Sequence, residues 1–206
     1  MAKIDLKKEL GTLYAPSSKD FSLVEVPEMN FLMVDGRGDP NTTPAFQEAV
    51  DALYAVAYTA KFALKKAGGD DFTVMPLEGL WWMEDMRFFD LNKKDDWLWT
   101  VMIAQPAQVT PELIRDAVHE VERKKNPPAL GKVRFEAFRE GLSAQIMHIG
   151  PYEAEAPTIA RMHGFIAEHG YEPAGKHHEI YLSDPRRTAP EKYRTILRQP
   201  VRLRND

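Results

Sequence analysis

Two short stretches of this sequence echo one another. Thr100-Val101-Met102 leads into Gln105-Pro106, and Thr195-Ile196-Leu197 leads into Gln199-Pro200. The elements ahead of each come in the same order, so the echo reads as an internal repeat of about 95 residues, the strongest single constraint on the fold. In each half the pattern predicts a strand hairpin ending in glycine (Gly36, Gly150), then a helix, then two strands. Module one would cover 21–106 and module two 132–201, with a connector helix over 110–126 and an N-terminal extension over 1–20. A unit that small cannot cover its own sheet face, so two would stabilise each other by pairing. The predicted class is α+β: a pseudo-twofold duplication of strand–helix–strand–strand modules, all within one domain. Its antiparallel sheets would carry helices on one face and a ligand groove on the other.

Local patterns supply the elements. Phe46, Ala49, Val50, Leu53, Ala57, Ala60 and Leu64 recur at helical spacing over 45–66. Thr43 caps that helix, Pro44 suits its first position, and Gly68-Gly69 stops it. A second helix begins at Thr110-Pro111-Glu112 and ends before Pro127-Pro128; a third spans 155–169 and closes at Gly170. Strands are predicted over 22–26 and 29–34 around Pro27-Glu28, and over 133–139 and 142–149 around Glu140-Gly141. Those over 74–83, 97–103, 177–182 and 194–198 complete the set.

Composition removes several function classes. Basic residues number 27 against 31 acidic ones, a net charge of −4, so no broad basic footprint marks a nucleic-acid partner. Cysteine is absent, which excludes disulfides, thiolate metal sites and cysteine nucleophiles. The six histidines show no ligand spacing, and neither a metal nor a cofactor is expected. The charged N-terminus lacks the apolar core of a signal peptide, and no apolar run approaches about 18 residues. The expectation is a cytoplasmic protein with no membrane partner.

Strand alternation then places the candidate chemistry. His177, Glu179 and Tyr181 share one side of their strand, Ile180 and Leu182 the other. If the aliphatic pair faces the helices, Glu179 and Tyr181 face the groove. In the first half Glu78 and Trp82 share a side, Trp81 takes the opposite one, and Trp97 and Trp99 form another row. All four tryptophans fall within 81–99, either as core or as the wall of a pocket. An aromatic pocket holding a carboxylate suits a planar aromatic molecule or a lipophilic cation. Glu179 reads either as a solvated group paired with Arg194 or Arg198, or as a desolvated general base. Tyr152, after Gly150-Pro151, either projects into the same space or packs at the surface. Gly36-Arg37-Gly38 lacks the remaining residues of a phosphate loop and reads as a turn.

Several long runs resemble a known family. They are the stretch from Val26 to Pro40, Pro76-Leu-Glu-Gly-Leu-Trp-Trp82, the stretch from Gly175 to Pro190, and Thr195 to Val201. Together they resemble the stand-alone GyrI-like small-molecule-binding proteins over residues 20–201. The resemblance implies two strand–helix–strand–strand modules and a buried ligand-binding glutamate at Glu179. Relatives of one kind are drug-binding domains of transcription regulators, whose separate helix-turn-helix has no counterpart in 1–20 here. Relatives of another kind hydrolyse cyclopropane-containing natural products that alkylate DNA, a detoxifying role. On that reading Glu179 activates water, and Tyr152 or Tyr181 hydrogen-bonds the dienone oxygen as it becomes phenolate. Trp82, Glu78, Tyr181, Trp97, Trp99 and His148 are the ligand-binding candidates. The alternative is a non-catalytic multidrug-binding or sequestering protein. A gyrase-protecting role rests on the family name.

Overall fold

A computed structural model of the chain describes residues 3–84 and 93–204. Its elements run α1 (Leu6–Glu9), α2 (Gly11–Tyr14), β1 (Ser22–Arg37), α3 (Pro44–Lys66), β2 (Glu78–Trp82), β3 (Leu98–Gln105), α4 (Pro111–Lys124), β4 (Arg134–Ile149), α5 (Ala156–Glu168), β5 (Tyr171–Pro173), β6 (His177–Tyr181) and β7 (Arg194–Leu203). The protein is α+β with antiparallel strand pairing. Among the described residues no helix is long and apolar enough to cross a membrane. The chain divides into two compact units, Met1–Leu6 with Met29–Phe138, and Lys7–Glu28 with Arg139–Asp206. Most of the stretch predicted as an extension therefore belongs to the second unit, where Leu13 and Tyr14 are buried.

Neither predicted hairpin forms. β1 and β4 are each one continuous strand of 16 residues. Two-residue hairpins with the strand-matching twist need a central residue at positive φ. Among the described non-glycine residues only Asn126 has one, so Pro27-Glu28 continues extended, a conformation that proline's fixed φ permits. Gly141 in β4 has φ 77, and the strand runs on through it without reversing.

In the first unit β3 is central, with β1 and β2 antiparallel on either side. Pro44 opens α3, which buries Ala49, Leu53, Val56 and Ala60; full burial of an aliphatic side chain such as Leu53 stabilises by roughly 1.5–3 kcal/mol. The α3 end of the sheet is set by Phe46, whose ring lies 5.9 Å from Trp81 and 5.2 Å from Trp99. α4 is capped by Thr110, whose Oγ1 accepts from the Leu113 N–H at 3.2 Å, and it packs along α3.

The second unit repeats this plan. β7 is central, β4 and β6 pair antiparallel with it, and β5 pairs with its far end. α5 closes one face, setting Met162 and Ile166 against Ala144, Ile146, Leu197 and Val201. The opposite face, predicted to be an open groove, is covered in this unit by α2. There the buried Arg198 donates to the Leu13 carbonyl at 2.6 Å and to Gln145 Oε1 at 3.2 Å, while Gln145 Nε2 donates to the Thr12 carbonyl at 2.8 Å. Glu140 completes the cluster, 3.3 Å from Arg198 and 3.0 Å from His178 Nδ1. Burial works to raise its pKa, but the His178 and Arg198 charges outweigh that and hold it below the ordinary value.

The sequence echo is offset from the structural repeat by one residue. In β3 the side chains facing α3 are Trp99, Val101 and Ile103, whereas in β7 those facing α5 include Thr195, Leu197 and Val201. Thr100 therefore points away from its helix and donates to Asp35 Oδ1 at 2.6 Å, while Thr195 points towards α5. A slip of one residue exchanges the faces of a strand. The rows that correspond are Trp81–Trp99–Gly36 and Tyr181–Thr195–His148. Gly79, not Glu78, is then the counterpart of Glu179.

Candidate functional site

The register of the second unit puts its chemistry beside the first turn of α5. Tyr181, Thr195 and His148 are direct cross-strand neighbours on β6, β7 and β4, and Glu179 lies two residues before Tyr181 on the same side. That side is the one α5 covers. The sequence expectation was the reverse, with Ile180 and Leu182 towards the helix. Ile180 instead pairs with Ile196 on the α2 side, because the apolar demand of Met162 and Ile166 on α5 is met by Ala144, Ile146 and Leu197.

The Tyr181 hydroxyl donates to Glu179 Oε2 at 2.7 Å. His177 Nε2 stands 3.5 Å from Glu179 Oε1, and the Glu179 side chain keeps only 16% of its surface exposed. Pairing with Arg194 or Arg198 does not occur: both residues occupy the alternate side of β7, where Arg198 serves the α2 cluster. The Tyr152 ring stands 5.6 Å from Tyr181 and 5.2 Å from Tyr193, forming a rank of three phenols at the edge of the site. Burial, and then the nearby Tyr193 and Glu155, push the Tyr152 phenol up to about 12. It is a hydrogen-bond donor throughout the physiological range.

Glu155 was not among the sequence candidates. It occupies the N-cap position of α5, buried, with no capping hydrogen bond from its side chain. Burial and then the charge of Glu179 push its carboxyl up to about 9, against the lowering effect of the Thr195 hydroxyl. The carboxyl therefore holds its proton more tightly than an ordinary glutamate. The only signal in the sequence was an acid at a predicted helix start, which is where an ordinary capping acid sits.

His148 Nδ1 lies 3.2 Å from Thr158 Oγ1 of α5. Its pKa is lowered, by burial first and then by Arg161, against the raising effects of the Pro151 backbone and Glu179. By strict geometry His148 Nε2, Glu155 Oε1, Thr195 Oγ1 and His177 Nε2 are buried with no hydrogen-bond partner among the described residues, although the Thr195 hydroxyl and the Pro151 backbone stand close enough to Glu155 and His148 to shift them. Each such group costs about 1–3 kcal/mol unless something else completes it. Three of them, on His148, Glu155 and Thr195, gather beside the first turn of α5 and mark a place where a polar guest finds partners, while His177 neighbours His163 further along that helix.

The other candidates fall in the first unit. Trp81, Trp97 and Trp99 face α3, with the Trp81 and Trp97 rings 5.6 Å apart. Trp99 fills the space left by Gly36 and donates Nε1–H to the Gly38 carbonyl at 3.2 Å. It is core, and its role is packing. Trp82, half-buried, and Glu78, fully buried, lie on the side of β2 away from α3. Among the described residues no cluster of three or more acids and histidines could hold a metal ion.

A small-molecule-binding domain is the class that this combination defines. The GyrI-like small-molecule-binding domain family matches residues 19–202, and the chain belongs to it. It is similar to an uncharacterized conserved protein from Listeria innocua, with 47% identity over 97% of this chain and 100% of that one and a TM-score of 0.91. It is also similar to a hydrolase from the same organism, with 46% identity over 98% and 100% and a TM-score of 0.88. The EcmrR C-terminal domain, 12% identical over 90% of this chain and 98% of that one, shares the fold at a TM-score of 0.56. No curated protein matches the chain.

Proposed function

We propose that the protein is a hydrolase of planar electrophilic small molecules, opening the strained ring of cyclopropane-containing alkylating compounds. The observation that carries this reading is a largely buried Glu179, held by the Tyr181 hydroxyl at 2.7 Å, near a second buried carboxyl, Glu155, whose pKa it raises. A carboxyl with a raised pKa near a second carboxyl supplies an acid beside a base. Likeness to a hydrolase at 46% identity supports the same reading.

In the proposed step a water beside Glu179 attacks the cyclopropane methylene and gives its proton to the carboxylate. The C–C bond breaks, and its electron pair enters the dienone, which becomes a phenolate. Tyr152 donates a hydrogen bond to that developing oxyanion. Tyr181 already donates to Glu179, so it positions the base. Glu155 then returns a proton to the phenolate, and Glu179 passes the one it took to Glu155. The net change is addition of one water, and ring strain in the substrate supplies much of the driving force.

A test is incubation of the pure protein with a cyclopropane-fused dienone in 18O-labelled water. Recovery of ring-opened alcohol carrying one 18O supports the proposal. Recovery of unmodified compound at the rate seen without protein contradicts it. Tight binding with no conversion would instead support a multidrug-binding or sequestering protein, a reading favoured by the three-phenol rank beside a carboxylate, which suits a lipophilic cation.

A further inference from the structure

Among the described residues one face of α3 is left exposed, and its composition is self-complementary. Tyr58 and Phe62 are 46% and 59% exposed, large values for aromatic side chains on a helix whose opposite face, with Ala49, Leu53, Val56 and Ala60, is buried. Tyr54 extends the row: its ring is 6.2 Å from Tyr58, whose ring is 6.3 Å from Phe62. At 100° per residue Asp51, Tyr54, Tyr58, Phe62 and Lys65 all fall within one narrow stripe. Asp51 lies as far before Tyr58 as Lys65 lies after it, and Tyr54 and Phe62 are likewise equidistant from it.

We propose that this stripe is the interface of a twofold homodimer, in which α3 packs antiparallel against α3 of a second copy, centred on Tyr58. A twofold contact must present one patch to itself, so each residue meets its mirror position. Here Tyr58 meets Tyr58, Tyr54 meets Phe62, and Asp51 meets Lys65, twice over. A parallel arrangement would instead set Asp51 on Asp51 and Lys65 on Lys65. Charge thus selects both the occupant and its direction. The local partners of the two charged groups are peripheral. Asp51 accepts from Gln47 Nε2 at 2.8 Å, and Lys65 stands 3.6 Å from Asp71, whose nearer partner is Lys61 at 2.5 Å. Exposed pairs of this kind contribute little and yield readily to a better-shielded partner. One helix face is a small interface, so the dimer is a weak one.

Sedimentation equilibrium of the full chain at roughly 300 μM tests this, a concentration suited to a small interface. The wild type is expected to approach twice the 23.5 kDa chain mass. Tyr58→Lys and Phe62→Gln should return it to the monomer. Asp51→Lys should weaken association about tenfold or more, and adding Lys65→Asp should restore it to within about threefold. Melting curves matching wild type confirm that each variant folds. A wild-type monomer at this concentration overturns the proposal, as does a dimer that ignores Tyr58→Lys or fails to distinguish the single from the double charge variant. The outcome does not depend on whether the site beside α5 is catalytic.

Discussion

The two units place the same row of three residues beside the first turn of their helix and use it in opposite ways. In the first unit the row is Trp81–Trp99–Gly36, where one indole fills the notch left by a missing side chain and Phe46 seals the rest. In the second it is Tyr181–Thr195–His148, sealed by Thr158 and Glu155, with polar atoms of His148, Glu155 and Thr195 buried and lacking a well-formed hydrogen bond among the described residues. A shared framework thus carries closed packing in one copy and unsatisfied chemistry in the other. Stability should concentrate in the first row and reactivity in the second, since functional sites retain local costs that a core removes.

The largest effect should come from breaking the packed row. Trp99→Ala removes a fully buried indole and its hydrogen bond to Gly38, and urea unfolding should show a loss of about 3–5 kcal/mol. Gly36→Ala tests the same row from the other side. An added Cβ would come 2.0 Å from the Trp99 ring, so a loss of about 1–3 kcal/mol is expected. In the second unit the matching change behaves differently. Thr195→Val removes a buried hydroxyl whose interaction with the Glu155 carboxyl falls short of hydrogen-bond geometry, and unfolding should show a change within about 1 kcal/mol, in either direction.

Glu155 sharpens the comparison through pH. Unfolded, its carboxyl titrates near 4.5; folded, burial and Glu179 raise it to about 9. Between those values the folded state holds the additional proton, so this group's contribution is full below 4.5 and is lost as pH rises towards 9. Glu155→Gln removes the titration. The variant's melting temperature relative to wild type should therefore climb between about pH 5 and pH 8.5. A constant difference across that range would mean that Glu155 is ionised in the folded protein.

Much of the framework was legible in the sequence, and the failures share a cause. The three long helices were readable from apolar spacing and from Pro44, Thr110 and Gly170, all local signals. The order of strands and helices along the chain was largely legible too. Its register was not, because the Thr100 and Thr195 echo is chemical while the faces are set by what each helix needs beneath it. Glu179 and Tyr181 were correctly placed together, yet towards the wrong face, since alternation fixes which residues share a side but not which side is covered. The role of α2 in covering the second sheet rests on Arg198 and Gln145 reaching carbonyls at Leu13 and Thr12, contacts across nearly the whole chain length that no local pattern encodes. Glu155 escaped notice for the same reason: only the fold brings Glu179 close enough to raise its pKa.

The most direct measurement of the central claim is a pair of readings on Glu179→Gln, its single-turnover rate on a cyclopropane-fused dienone and its urea midpoint. The account predicts that turnover falls by about 10²-fold or more, while the midpoint stays at or above the wild-type value because the charge raising Glu155 is gone. Turnover equal to wild type, with the fold intact, would contradict it.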